Sequence, residues 1–307
     1  MQNTLRSAVS ITGIGLHTGR PIQMKVRPAS ANYGIWFRRT DVVGADAMVP
    51  AIWSAVAPSH LCTKVENDAG ISVSTIEHLM AAFAGCGIHN ALIEISGPEV
   101  PILDGSAEPF VAAFLSRGLI SQATRARTIR ILKPVEVQEG ASLARLDPAD
   151  VLEIDFHINF EDKGIGAQQR ALKMVNGAFV RELSDSRTFC LQSDVDLMRA
   201  NGLALGGSLE NAVVFDNGQI LSPGGLRHPD EPVRHKMLDA LGDLALAGGV
   251  ILGRYTGIRA GHALTNRLLR VLFADPTTFR IEDSVSDTLL PGIGPHGSIL
   301  PTRHIAA

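Results

Sequence analysis

The chain has little cysteine, no excess of either charge sign and no long apolar run. Its three cysteines, Cys62, Cys86 and Cys190, are odd in number, far apart and outside any CxxC spacing. That argues against a disulfide framework and against a thiolate zinc site, and each is expected to be a buried free thiol. With 28 Lys and Arg against 31 Asp and Glu, for a net charge of −3, there is no broad basic field. Nucleic acid is therefore set aside as a partner, and any phosphate recognition must come from a few local cations. The longest apolar stretches, such as residues 244–252, are broken by glycine and fall well short of the ~20 residues that a membrane span needs. The opening Met1-Gln2-Asn3-Thr4-Leu5-Arg6 has no apolar signal core, so a cytoplasmic protein is expected. A metal, if bound, would be held by nitrogen and oxygen.

What is present is material for two ordinary domains. There are 307 residues, 45% of them hydrophobic, with a mean hydropathy of +0.15, enough to bury a substantial core. Alternating stretches at 6–14, 22–26 and 35–38 predict strands; a helix follows at 75–85, a strand at 91–95 and a helix at 108–115. The order returns later, with strands at 128–137, 143–146 and 151–158, a long helix at about 228–247, a strand at 250–258 and a helix at 263–273. The matching order predicts an α+β fold of two similar domains, each a β-sheet layered with α-helices. The seam falls near 121–127, giving domains 1–124 and 125–307. An insertion at about 190–222 has no counterpart in the first half and is a candidate substrate-binding element. From about 275 onward, Pro276, Pro291, Pro295 and Pro301 with several glycines predict an irregular tail.

Chemistry concentrates at three places: Glu77-His78, the run from His235 to Asp243, and Gly261-His262. His235, Asp239 and Asp243 recur at i, i+4 and i+8, so on a helix they share one face. An HxxxD pair alone is usually a surface ion pair of little worth, and Ser74 with Glu77 fits a capping box in which Glu77 bonds the backbone at the helix start. Coincidence of all three places favours a metal centre instead. Three protein ligands plus one open position is the catalytic zinc arrangement, with His78, His235 and Asp239 as ligands. A zinc-bound water is acidified to a pKa of about 7. Glu77, beside a ligand, is placed to take its proton. His262, held cationic by Asp243, would stabilise the oxyanion and protonate the leaving amine. Thr188 is a further candidate donor. The glycines at 13, 15 and 19 do not fit a dinucleotide fingerprint. His17, His60, His89, His157, His228, His296 and His304 lack a partnered spacing and are read as ordinary.

Several longer motifs, in order, carry a resemblance. They are Gly13-Ile14-Gly15-Leu16-His17-Thr18-Gly19, Ser74-Thr75-Ile76-Glu77-His78-Leu79 and Ile102-Leu103-Asp104-Gly105-Ser106-Ala107, then Arg187-Thr188-Phe189, Leu205-Gly206-Gly207-Ser208, His235-Lys236-Met237-Leu238-Asp239 and Gly261-His262-Ala263-Leu264. Together they resemble the UDP-3-O-acyl-N-acetylglucosamine deacetylase family, zinc enzymes of the committed step of lipid A synthesis in Gram-negative bacteria. The resemblance implies an active site between two α+β domains, one zinc ion (Zn2+) on His78, His235 and Asp239, Glu77 as general base and His262 as general acid, assisted by Thr188 and Asp243. It also implies that the insertion encloses the 3-O-acyl chain, with Phe189, Val195, Ala204, Leu209, Ala212 and Val214 as lining. Phe160 would stack on the nucleotide, and Lys236 and Arg259 would meet the diphosphate. Arg259 stands where some relatives carry lysine, and Cys190 where many carry glycine, which bears on affinity and acyl preference rather than on the reaction. A monomer with transient inner-leaflet contact is expected, without the dehydratase domain to which some relatives are fused.

Overall fold

A computed structural model describes residues 1–59 and 61–284. The first half runs β1 (Asn3–Leu5), β2 (Val9–Ile14), β3 (Pro21–Pro28), β4 (Ile35–Arg39), β5 (Met48–Pro50), β6 (Val56–Ala57), β7 (Lys64–Glu66) and β8 (Ser72–Val73). Helix α1 (Glu77–Cys86), β9 (Ala91–Ile95), α2 (Glu108–Arg117) and β10 (Leu119–Ser121) complete it. The second half opens with β11 (Arg127–Ile131), β12 (Val135–Glu139), β13 (Ser142–Pro148), β14 (Glu153–Asn159) and β15 (Ala167–Lys173). It continues through α3 (Ala178–Glu182), β16 (Phe189–Leu191), α4 (Gln192–Ala200), β17 (Val213–Asp216) and β18 (Gln219–Ile220). Helix α5 (Glu231–Ala245), β19 (Val250–Ile258), α6 (His262–Ala274) and β20 (Phe279–Asp283) close the described chain.

The sheets show a repeat that the residues alone do not. One sheet has the order β2-β3-β9-β4-β5, with pairings antiparallel, antiparallel, parallel, antiparallel. The path β12-β13-β19-β14-β15 in the other sheet has the same sequence of senses. In each case the last of the five strands in chain order, β9 or β19, slots into the middle of the sheet after a buried helix. The start of β19 also pairs with β11, which pairs in turn with β20. Strand β3 illustrates the local cause: Ile22, Met24 and Val26 are buried while Pro21 and Gln23 are exposed, so a period of two turns one face to the core.

The helices fill the space between. Nine of the ten residues of α1 are buried, as expected of a helix covered on every side, and it stops at Gly87, whose φ of 71° suits a left-handed C-terminal cap. Helix α5 starts with Pro232 in its first turn, where a missing N–H costs nothing. The two helices approach closely because residue 242 is glycine: a Cβ there would stand 2.0 Å from the backbone oxygen of Glu77.

Three expectations change. The stretch 128–137 is two strands, β11 and β12, broken where Lys133-Pro134 turns the chain. The insertion does have a counterpart in chain order: the three-stranded β16-β17-β18 sheet lies between β15 and α5, as the three-stranded β6-β7-β8 sheet lies between β5 and α1. The expected irregular tail begins instead with β20, held to β11 over five paired residues and by Thr128 Oγ1 donating to the Glu282 carbonyl. The rest of the tail, with Pro291, Pro295, Pro301, His296 and His304, lies outside the described residues, as does His60.

Candidate metal centre and active site

Helices α1 and α5 carry the cluster across their contact. His78 is the second residue of α1, and His235 and Asp239 sit one turn apart on α5. One potential ligand atom from each lies within 4.8 Å of the others, and all three residues are buried. His78 Nε2 and His235 Nε2 stand 3.5 and 3.3 Å from Asp239 Oδ1, with the two rings edge to face at 4.9 Å between centroids. That Oδ1 is buried and has no hydrogen-bond partner among the described residues. An orphaned carboxylate oxygen facing two imidazole nitrogens is costly without a cation to complete it. Two nitrogens and an oxygen are also a donor set that suits zinc, so the residues fit the ion.

Neighbouring groups set the protonation the ligands need. His235 Nδ1 donates to the Ser186 carbonyl at 3.0 Å, which leaves Nε2 as the free nitrogen. Burial pulls the pKa of His235 down to about 4, so the ring is neutral. Burial opposes ionisation of Asp239, but the adjacent imidazoles and Lys236 outweigh it and hold its carboxyl well below the usual range. Lys236 Nζ donates to Asp239 Oδ2 at 2.7 Å.

Beside this triad lies an acid–base group. Glu77 is fully buried at the start of α1, and its burial raises its pKa. Its Oε2 accepts the Thr63 backbone N–H at 3.0 Å, and its Oε1 lies 3.9 Å from His262 Nε2. The capping-box alternative is not met: Ile76, not Ser74, is the N-cap, and it makes no side-chain cap bond. His262 opens α6, and its Nδ1 meets Asp243 Oδ2 at 2.8 Å. Burial would lower the pKa of His262, but the Asp243 and Glu77 carboxylates outweigh it and raise it to about 9. His262 is thus cationic at neutral pH.

The triad, Glu77 and His262 border a cavity of about 630 Å³. Glu77, His78, Thr188, His235, Lys236, Asp239 and His262 line it, and so do the expected Phe160, Phe189, Val195, Ala204, Leu209, Ala212 and Val214. Phe160 and Phe189 meet edge to face at 5.4 Å. Asp243 stands behind His262. Arg259 is exposed and does not line the cavity. His17, read as ordinary from the sequence, does line it, with its Nδ1 buried and unpartnered among the described residues. Thr63 was also missed, and no spacing in the sequence marks either. Cys62 and Cys86 are buried free thiols as expected, whereas Cys190, also free, is only half-buried; burial pushes their pKa values up to about 11, 12 and 11.

Motifs away from the chemistry lock the two halves together. Glu99 is fully buried and accepts hydrogen bonds from the backbone N–H groups of His17 and Thr18 and from the hydroxyls of Thr18 and Thr75. It thereby fixes both the glycine-rich loop and the residue before Ile76. The loop in turn receives Gly206, whose N–H donates to the Leu16 carbonyl at 2.9 Å. Gly105, at φ +84°, leaves room for Asn211, whose backbone oxygen would be 2.1 Å from a Cβ. Arg187 and Glu231 form a buried ion pair at 2.9 Å; because Glu231 is the first residue of α5, this ties the Ser186–Thr188 segment to the helix bearing His235. A second cavity of about 530 Å³, near Trp36, Trp53 and Phe83, includes none of these acid–base or ligand residues in its walls.

Comparison with known proteins gives the family. Residues 2–274 match the family described as LpxC, UDP-3-O-acyl N-acetylglycosamine deacetylase. A UDP-3-O-acyl-N-acetylglucosamine deacetylase of Phenylobacterium zucineum is 48% identical over 286 residues, covering 93% of this chain and 98% of the relative. Enzymes of the same name from Shewanella frigidimarina and an Anaeromyxobacter species are each 45% identical, the first over 91% of this chain and 92% of the relative, the second over 98% and 97%. A match over nearly the whole described chain, joined to the buried cluster of His78, His235 and Asp239, means that this chain belongs to the UDP-3-O-acyl N-acetylglycosamine deacetylase family.

Proposed function

We propose that the chain is a zinc-dependent deacetylase that hydrolyses the 2-acetamide of UDP-3-O-(3-hydroxyacyl)-N-acetylglucosamine, releasing acetate at the committed step of lipid A biosynthesis. The observation that carries the reading is the unpartnered Asp239 Oδ1 facing two imidazole nitrogens, with Glu77 and His262 beside it on one cavity. When bound on His78, His235 and Asp239, zinc supplies Lewis acidity, polarising a carbonyl and acidifying water. Glu77 takes the proton of the attacking water, a role its raised pKa favours. His262 carries a proton at Nε2 to the leaving nitrogen while Asp243 keeps Nδ1 occupied. Thr188 offers its hydroxyl to the developing oxyanion.

Phe189, Val195, Ala204, Leu209, Ala212 and Val214 would bury the acyl chain, at roughly 0.8 kcal/mol for each methylene removed from water. Phe160 would stack on the base and Lys236 would meet a phosphate. Arg259, exposed and off the cavity, fits only a contact with the outer end of the nucleotide. The domains would divide at 124, between β10 and β11. Among the described residues no helix is long and apolar enough to cross a membrane, which is compatible with a cytoplasmic monomer that touches the inner leaflet transiently.

The test compares acetate release from the 3-O-acylated sugar nucleotide with that from UDP-N-acetylglucosamine lacking the acyl chain. The acylated compound should be cleaved with a kcat/KM higher by orders of magnitude. Equal rates, or faster cleavage of an unrelated N-acyl compound, would instead indicate an amidase of another specificity.

A further inference from the structure

Thr63 lies on the loop before β7, is 3% exposed and has no place in the roles given above. All three of its polar groups are spent on the active site. Its backbone N–H donates to Glu77 Oε2 at 3.0 Å, its hydroxyl donates to Asp243 Oδ1 at 2.5 Å, and its carbonyl accepts the N–H of Ile76, the N-cap of α1, at 3.3 Å. Asp243 uses its other oxygen on His262 Nδ1 at 2.8 Å. One residue therefore touches the carboxylate proposed as base and the carboxylate that orients the proposed acid, which come from helices in opposite halves of the chain.

We infer that Thr63 is a positioning residue that fixes Glu77 and the Asp243–His262 pair relative to each other. The inference rests on the roles proposed for those three residues. Its physical content is geometric. With Oδ1 committed to the Thr63 hydroxyl, the Asp243 carboxylate cannot rotate and Oδ2 stays on His262 Nδ1, which keeps His262 Nε2 directed at the cavity. The β-branched side chain of threonine holds that hydroxyl in a narrow χ1 range. Without it, a buried carboxylate oxygen loses its partner and the carboxylate turns toward whatever donor remains. The Glu77 contact uses the backbone and survives any side-chain change, so the hydroxyl can be tested alone.

Thr63→Val removes the hydroxyl at nearly constant shape. It should lower kcat about 10- to 100-fold, the scale of a small misplacement of a catalytic group, with KM and bound zinc near wild type. Thr63→Ser should recover most of that loss. In Asp243→Asn, adding Thr63→Val should cost no further activity, because the hydroxyl acts through Asp243. Independently of turnover, NMR of 15N-histidine-labelled protein should show a downfield, exchange-protected Nδ1 proton on His262 that Thr63→Val broadens or shifts and Thr63→Ser keeps. Thr63→Ala replaces the valine variant if the latter does not fold. Unchanged kcat and an unchanged His262 proton, or losses that multiply in the double variant, would overturn the inference; an inactive wild-type enzyme that still shows the proton and its sensitivity to Thr63 would overturn the proposed function and leave the positioning intact.

Discussion

His262 and Glu77 illustrate how single residues are tuned by their surroundings. Glu77 is buried and His262 half-buried, and both have raised pKa values, Glu77 by burial and His262, to about 9, because two carboxylates outweigh desolvation. A base must be deprotonated and an acid protonated, so the signs follow directly. Activity should fall as pH drops through the raised pKa of Glu77 and fall again as pH rises through about 9, giving a bell-shaped kcat/KM profile. His262→Gln should lower the rate and abolish the alkaline limb; an alkaline limb that persists in that variant would show that another group titrates there. At this scale the sequence was legible where spacing speaks: His235 and Asp239 at i and i+4, and Glu77 next to His78. It was silent on Thr63, whose neighbour Asp243 is 180 positions away, and on His17, whose place in the cavity depends on the buried Glu99 carboxylate holding its loop.

Among the elements, the contact of α1 with α5 decides whether the site assembles, because each helix brings part of the triad. Gly242 sets that distance. Gly242→Ala would put a Cβ against the Glu77 backbone oxygen, where a Cβ would be only 2.0 Å away, and a main-chain atom cannot step aside as a flexible side chain can. The expected result is a loss of about 1–3 kcal/mol in denaturant unfolding, typical of overpacking, accompanied by weaker zinc retention as His78 moves away from Asp239. An unchanged unfolding midpoint with full zinc content would contradict it. The main helices and the strand at Val250–Ile258 were readable from periodicity. Strands such as β15, β20 and those of the two three-stranded sheets were not: β15 alternates weakly, with exposed Ala167, Gln169, Ala171 and Lys173, β20 is rich in charge, and β6, β8 and β18 are only two residues long. Their stability comes from ladder partners distant in sequence, which no local window contains.

At the level of the whole molecule, two units of like strand order face each other through their helices, and the proposed catalytic groups lie where the helices meet. The order of strands and helices predicted two similar layers, but only strand pairing reveals the repeated antiparallel, antiparallel, parallel, antiparallel path, since the two halves share too few residues to display it. The motifs that made the family recognisable divide in two: those at the cavity, and those such as Asp104-Gly105-Ser106 and Leu205-Gly206-Gly207 that clamp one half to the other. The central claim, that this assembly is a metal-dependent deacetylase, is tested most directly by measuring acetate release from labelled UDP-3-O-(3-hydroxyacyl)-N-acetylglucosamine with purified protein, before metal stripping, after it and after zinc is restored, with Glu77→Gln in parallel. Activity should vanish with the metal and return with zinc, while Glu77→Gln keeps its zinc and loses about 10²-fold or more in turnover. Full activity in the stripped protein, or a near-normal rate in Glu77→Gln, would contradict the account.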